Sequence, residues 1–211
     1  APYPQVLLLD EPLSALDARV RDRLRVEIRR WQRMLGITTL LVTHDQGEAL
    51  ALADRVAILR DGRLEQVGTP QEIYHHPVSD FVATFVGTSS KVEGRAAGPD
   101  RVQVAGGFIP LPHQVLLSGP VVLYLRPEEI QLSPAGEGGL PGRLVVKSFL
   151  GSVIRWEVEL EDGQRLFVDV SGREAMDLKE GEKVRVAIPA EAVKRVEDVT
   201  PQQAGAGMRP I

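Results

Sequence analysis

The sequence contains no cysteine, so disulfides and cysteine–zinc sites are excluded, a composition that suits a reducing compartment. Aromatic residues make up only 5% of the chain. No apolar run approaches the ~20 residues that cross a bilayer as a helix, and no basic stretch followed by an apolar one opens the sequence. Neither charge sign dominates: the net charge is −4, which gives no global attraction to nucleic acid or anionic lipid. What is present is ordinary for a globular protein, 43% hydrophobic and 26% charged over 211 residues, enough for one large domain or two small ones.

The stretch Gln5–Asp17, QVLLLDEPLSALD, organises the first part of the chain. Val6–Leu9 reads as a buried parallel strand ending in two carboxylates, Asp10 and Glu11. Pro12 stops it, and the residue before a proline is expected to be extended. Acidic side chains at the C-terminal end of such a strand stand where open α/β sheets place ligand chemistry. One carboxylate suits Mg²⁺, directly or through water, and the other suits orienting and deprotonating a water. A strand followed by a merely acidic turn would leave the same string. A second β-branched segment, Ile37–Thr43, ends in His44, so two strands each end in a group of catalytic type.

Together these segments resemble the second half of an ABC-transporter ATPase domain. Val6–Glu11 is similar to the Walker B strand and its following glutamate, Ser14-Ala15-Leu16-Asp17 to the D-loop, and Val42-Thr43-His44-Asp45-Gln46 to the switch-histidine region. The family's phosphate loop (G-x-x-x-x-G-K-[ST]), its LSGGQ signature and its glutamine loop lie upstream of Walker B, and none occurs here. The resemblance, which runs from about residue 4 to 196, therefore implies the C-terminal part of a longer protein.

Asp17 is a good N-cap for a helix over Ala18–Leu35, which Gly36 ends. Val20, Leu24, Ile28, Trp31 and Leu35 form one apolar stripe, expected to be core. Seven arginines (19, 21, 23, 25, 29, 30, 33), interleaved with Asp22 and Glu27, read as a solvated face. Asp45 and Glu48 form a capping box for a helix over about 46–53. Asp61-Gly62 is a two-residue hairpin turn between strands 55–60 and 63–67. Thr69-Pro70-Gln71-Glu72 opens another helix, and Ser79 caps a short one closed by Gly87. His75 and His76 are neighbours on a helix, point apart, and make a poor metal pair.

From Lys91 the pattern changes to short alternating strands and Gly/Pro turns, among them Val121–Leu125, Ile154–Leu160, Leu166–Val170 and Val184–Ile188. Such a run argues a small β-barrel or sandwich. Arg126-Pro127-Glu128-Glu129 and Phe149-Leu150-Gly151-Ser152 resemble motifs of the TOBE domain, an OB-like barrel found after the ATPase domain of many ABC importers. The expected fold is thus α/β followed by all-β. Residues 1–88 are the C-terminal part of a P-loop (RecA-like) ABC ATPase domain, 91–196 a TOBE domain, and 197–211 a disordered tail.

The resemblance implies the energy-coupling ATPase subunit of an importer for a small solute such as sulfate, a polyamine, iron, a phosphonate or a sugar. Two copies would sandwich two ATPs at the inner face of the cell membrane, act on membrane-spanning permease subunits, and depend indirectly on an external solute-binding protein. By resemblance Asp10 holds Mg²⁺ through water, Glu11 is the general base, His44 contacts the γ-phosphate, and Asp17 with Ser14 crosses the dimer interface. Without a phosphate loop the chain alone is expected to be inactive. Two other readings stay open: a non-transport ABC-type ATPase, or a binding module without activity. Binding of nucleic acid by an OB-like barrel is disfavoured, because Phe149, Trp156 and Phe167 form no evident stacking platform among clustered basic residues.

Overall fold

The computed structural model describes residues 5–134, 138–171 and 178–199. The chain divides into two compact units between Val82 and Ala83, earlier than the expected boundary at residue 88.

The first unit opens with β1 (Val6–Asp10) and α1 (Ala18–Leu35), followed by β2 (Thr38–Val42) and α2 (Gln46–Leu52). β1 and β2 pair in parallel, with Leu8 opposite Leu40 and Asp10 opposite Val42. The expectation of a buried strand does not hold among the described residues: Leu8 is 70% exposed and Leu40 59%. Each strand has one neighbour, and nothing described covers the face carrying Val6, Leu8, Leu40 and Val42. β3 (Val56–Arg60) and β4 (Arg63–Gly68) form the expected hairpin, with both turn residues, Asp61 and Gly62, at positive φ as a type I′ turn requires. α3 (Pro70–His75) starts with a complete capping box between Thr69 and Glu72. α4 (Asp80–Phe85) spans the division between the units.

Helix α1 begins and ends as its caps dictate. The Asp17 carboxylate accepts from the Val20 N–H at 3.0 Å, and Gly36, at φ 62°, returns its N–H to the Gln32 carbonyl. Its apolar stripe, however, is not core: Trp31 is 52% exposed and no residue of the helix is buried. An apolar stripe marks a face that gains by burial, but it does not supply the element that covers it. Toward α2 the helix presents Arg21, Arg25 and Arg29, four residues apart and so on one face. Arg21 and Arg25 pair with Asp45 at the start of α2. Arg29 donates to the Leu52 carbonyl and pairs with Asp54 at its end. These three arginines are therefore structural, whereas Arg30 pairs with Glu27 as a surface residue would.

The second unit is built of antiparallel strands: β5 (Ser90–Ala96), β6 (Arg101–Val104), β7 (Gly107–Pro110), β8 (Pro120–Leu125), β9 (Gln131–Pro134), β10 (Leu140–Phe149), β11 (Val153–Leu160), β12 (Arg165–Ser171), β13 (Lys183–Ala187) and β14 (Val193–Asp198). They form two five-stranded sheets, in the orders β12-β11-β10-β13-β9 and β14-β8-β5-β6-β7. A single apolar core lies between them, and Ile154, Trp156, Val158 and Leu160 enter it from alternate positions of β11. The open part of β5 is stitched to the other sheet. The Gln164 side chain accepts from the Glu93 N–H at 2.6 Å and donates to the Glu93 carbonyl at 2.9 Å, and the Ser90 hydroxyl accepts from the Phe167 N–H. Arg126-Pro127-Glu128-Glu129 closes β8 with a 3-10 turn, and Arg126 is fully buried. Phe149-Leu150-Gly151-Ser152 is the β10–β11 hairpin, with Gly151 at φ 88°. β14 extends to Asp198, so Glu197 and Asp198 are sheet residues rather than tail; 200–211 lie outside the described residues.

Candidate functional site

The parallel pairing of β1 and β2 places the residues just past both strands side by side. The Glu11 N–H donates to the Val42 carbonyl at 2.8 Å, which carries the pairing one residue beyond Asp10. The chain then turns, and Glu11 stands at φ 47° rather than in the extended conformation that Pro12 favours. A left-handed, non-glycine residue before proline is strained, and it persists only where its surroundings hold it. The contacts here are plain. Glu11 Oε1 lies 2.7 Å from His44 Nδ1 and accepts the His44 backbone N–H at 3.2 Å, while the Glu11 carbonyl accepts the Ser14 hydroxyl at 2.9 Å.

The two residues singled out as catalytic are thus in contact. An ionised carboxylate only accepts, so Nδ1 of His44 carries the shared proton and Nε2 is left for an outside group. The hydrogen bond to Glu11, followed by the Glu11 charge, raises the His44 pKa above its ordinary value. The imidazole is otherwise open, with its side chain 77% exposed. Asp10, at the end of β1, is exposed beside this pair in sequence. Ser14 is engaged with the Glu11 carbonyl, and Asp17 caps α1.

The loop under His44 is held by groups that the motif reading passes over. Asp45 caps α2 by accepting the Glu48 N–H at 3.0 Å, but the expected reciprocal half of the box is missing. Glu48 is instead buried at 1% exposure, and its carboxylate accepts the Thr43 hydroxyl at 2.8 Å. The Asp45 N–H, which Glu48 would have satisfied, donates to the same hydroxyl at 3.0 Å. Burial pushes the Asp45 carboxyl up. The Glu48 N–H and the charges of Arg25 and Arg21 outweigh that and hold it below the usual carboxylate range. The four-residue spacing of Arg21, Arg25 and Arg29 was the available signal for this network.

Known proteins resemble this chain over most of its length. Residues 123–194 match the model of the TOBE domain. The Fe(3+) ions import ATP-binding protein FbpC of Rhizobium etli is 44% identical over 170 residues, 79% of this chain and 48% of that protein. The sulfate/thiosulfate import ATP-binding protein CysA 2 of Chromobacterium violaceum is 42% identical over 197 residues, 90% of this chain and 54% of that one. The spermidine/putrescine import ATP-binding protein PotA of Ruegeria pomeroyi is 36% identical over 205 residues, 94% and 56% respectively. The solved structure of the cytoplasmic molybdate-binding protein ModG aligns at a TM-score of 0.43 and 14% identity, covering 52% of this chain and 95% of that one, a likeness too slight to define the fold.

Residues 123–194 are thus similar to a TOBE domain, and over most of its length the chain is similar to ATP-binding proteins of ABC importers. It spans about half the length of the curated relatives it matches, and the solutes in their names differ.

Proposed function

We propose that these residues form the hydrolytic part of an energy-coupling ATPase subunit of an importer. The observation that supports this most is the Glu11–His44 contact at the ends of two parallel strands. In this reading Glu11 orients the attacking water and takes its proton. Its Oε1 is committed to His44, which leaves the second oxygen for water. His44, with Nδ1 bonded to Glu11 and its pKa raised, presents Nε2 as a donor to the γ-phosphate. Phosphoryl transfer needs positioning and charge neutralisation more than covalent chemistry, so two such groups within one hydrogen bond are well suited to it.

Mg²⁺ keeps several waters and takes one or two carboxylates in addition to phosphate oxygens. No cluster of three ligating side chains occurs among the described residues, so the single exposed Asp10 fits that mode and not an all-protein cage. When bound, the ion would neutralise phosphate charge. Ser14 and Asp17, in the turn after Glu11, are the proposed contacts to a second copy of the chain, and the permease subunits are the proposed membrane partners. No helix among the described residues is long and apolar enough to cross a membrane, which suits a subunit peripheral to the inner face. Importers of iron, sulfate/thiosulfate and polyamines all match, so the proposal concerns energy coupling and not solute choice.

The 211 residues contain no phosphate loop, so the phosphate grip must come from outside them. The test joins this chain to the N-terminal half of the Rhizobium etli relative and measures phosphate release with Mg-ATP. The chain alone is expected to show none. The joined protein is expected to turn over on the order of 1 s⁻¹ or faster, in the usual range of enzymes. Turnover by the chain alone, or none by a folded joined protein that binds ATP, would refute the reading.

A further inference from the structure

Arg21 holds two separate loops with one planar group. Its Nη1 pairs with Asp45 Oδ2 at 3.1 Å, and its Nη2 donates to the Leu16 carbonyl at 3.0 Å. Leu16 lies in the turn that connects Glu11 to α1, and Asp45 directly follows His44. The guanidinium fork is rigid, so bonds from its two terminal nitrogens fix their acceptors relative to each other.

Each acceptor is also tied into its own loop. Within the turn, Ser14 N–H and hydroxyl donate to the Glu11 carbonyl, and the Leu16 N–H donates to the Leu13 carbonyl. On the other side, Asp45 Oδ2 also takes Arg25 Nη2 at 2.8 Å, and Oδ1 takes the Glu48 N–H. The Asp45 N–H and the buried Glu48 both meet Thr43. His44 is thus flanked on both sides by fixed residues, and its own N–H and ring are turned onto Glu11. Displacing the turn at 13–17 therefore pulls on Asp45 through Arg21, and from there on the backbone of His44.

We propose that Arg21 is a positioning residue that couples the Leu13–Asp17 turn to the loop carrying His44. A change at the turn that faces a second copy is transmitted to the imidazole through this guanidinium. The role in catalysis rests on the reading of Glu11 and His44 given above, but the mechanical link exists whether or not the chain hydrolyses ATP.

The test is a double-mutant cycle on the 211-residue chain, read by backbone amide shifts and ¹⁵N relaxation, with signals of residues 91–196 as an internal control of folding. Asp45→Asn is expected to shift the amides of residues 14–17, far away in sequence, and to raise their mobility. In an Arg21→Met background the same substitution is expected to leave 14–17 unmoved. Arg21→Lys keeps the charge and the helix propensity, and serves if Arg21→Met disturbs α1. An ammonium lacks the fork, so the Lys variant is expected to retain order at Asp45 while 14–17 loosens. Equal effects of Asp45→Asn with and without Arg21 would overturn the proposal, as would an unmodified chain whose residues 5–82 show no dispersed amides.

In the joined ATPase, Arg21→Lys is expected to lower kcat roughly ten- to a hundredfold with KM unchanged, because it misplaces a group without removing it. Absence of the amide coupling when Arg21 is present refutes the link. Absent turnover with the coupling intact refutes only the hydrolytic reading.

Discussion

The carboxylate of Glu48, 1% exposed, accepts a hydrogen bond from the hydroxyl of Thr43 at 2.8 Å. A buried carboxylate that loses a donor keeps its desolvation cost. Thr43→Val, nearly the same shape, is therefore expected to destabilise the first unit by about 1–3 kcal/mol. Thr43→Ser keeps the hydroxyl and is expected to cost less. Denaturant unfolding, followed through Trp31 of the first unit and Trp156 of the second, separates the two units. An unchanged midpoint for Trp31 in the Val variant would contradict the assignment.

Glu11→Gln retains size and hydrogen bonding but removes the charge and most of the basicity. In the joined protein, hydrolysis is expected to fall roughly 10²–10⁴-fold, the span of one general base. Nucleotide affinity and ATP-dependent self-association are expected to persist. His44→Ala is expected to slow hydrolysis without altering the Mg²⁺ requirement, whereas Asp10→Asn is expected to alter that requirement itself. Turnover, affinity and association measured on one preparation of each variant distinguish these outcomes. Near-normal turnover by Glu11→Gln would remove Glu11 from the role of base.

The His44 pKa is raised by its hydrogen bond to Glu11 and then by the Glu11 charge, with Asp45 and Glu48 adding smaller attraction against a slight desolvation. Because the folded value lies above the unfolded one, the Glu11–His44 interaction contributes fully below the unfolded pKa. It fades as pH rises through the folded pKa. Titration of the imidazole by NMR is expected to give a midpoint above the ordinary value of 6.5, and Glu11→Gln is expected to bring it back toward that value. A wild-type midpoint at or below the ordinary value would show that the contact does not form in solution.

The buried Arg126 donates to the Thr88 carbonyl and the Ser89 hydroxyl, both at 2.9 Å, and Arg155 donates to the Thr88 hydroxyl at 3.0 Å. A fragment starting at residue 91 removes these acceptors and also the Ser90 hydroxyl that serves Phe167. It is expected to fold, but to be less stable than a fragment starting at residue 83 by roughly 2–5 kcal/mol, as charged hydrogen bonds at a buried group imply. Urea unfolding of the two fragments, read by Trp156 fluorescence, checks this. Equal stabilities would show that residues 83–90 are not integral to the second unit.

Local rules were legible wherever neighbours in sequence satisfy one another. Asp17 and Gly36 bound α1, Thr69 and Glu72 form their box, and Asp61-Gly62 makes its turn, because each needs only a few adjacent residues. The alternation of Ile154–Leu160 was legible because a strand shows its two faces to two environments. Glu11 and His44 were paired by motif, yet the backbone of Glu11 was misread: the preference set by Pro12 yields to contacts with His44 and Ser14, which come from elsewhere. Glu48 abandons its box for the Thr43 hydroxyl for the same reason, since burial makes a side-chain partner worth more than a reciprocal cap. The exposure of Trp31 was not legible, because periodicity reports which face is apolar and is silent about what lies against it. β10 was missed as a strand because Pro141 and Gly142 sit in its first turn of pairing. There a Cβ on Gly142 would stand 2.9 Å from Val158 Cγ1, so the close approach requires the glycine.

The amide of Gln164 satisfies both backbone groups of Glu93 on the side of β5 that β6 leaves open, since β6 pairs only with Arg95 and Ala96. An unpaired strand flank is where a foreign strand adds and aggregation begins. Gln164, with the Ser90 hydroxyl that takes the Phe167 N–H, thus occupies this flank against strand recruitment without adding a residue to either sheet. Gln164→Ala would leave both backbone groups of Glu93 open to such an addition, at a position remote from any proposed chemistry.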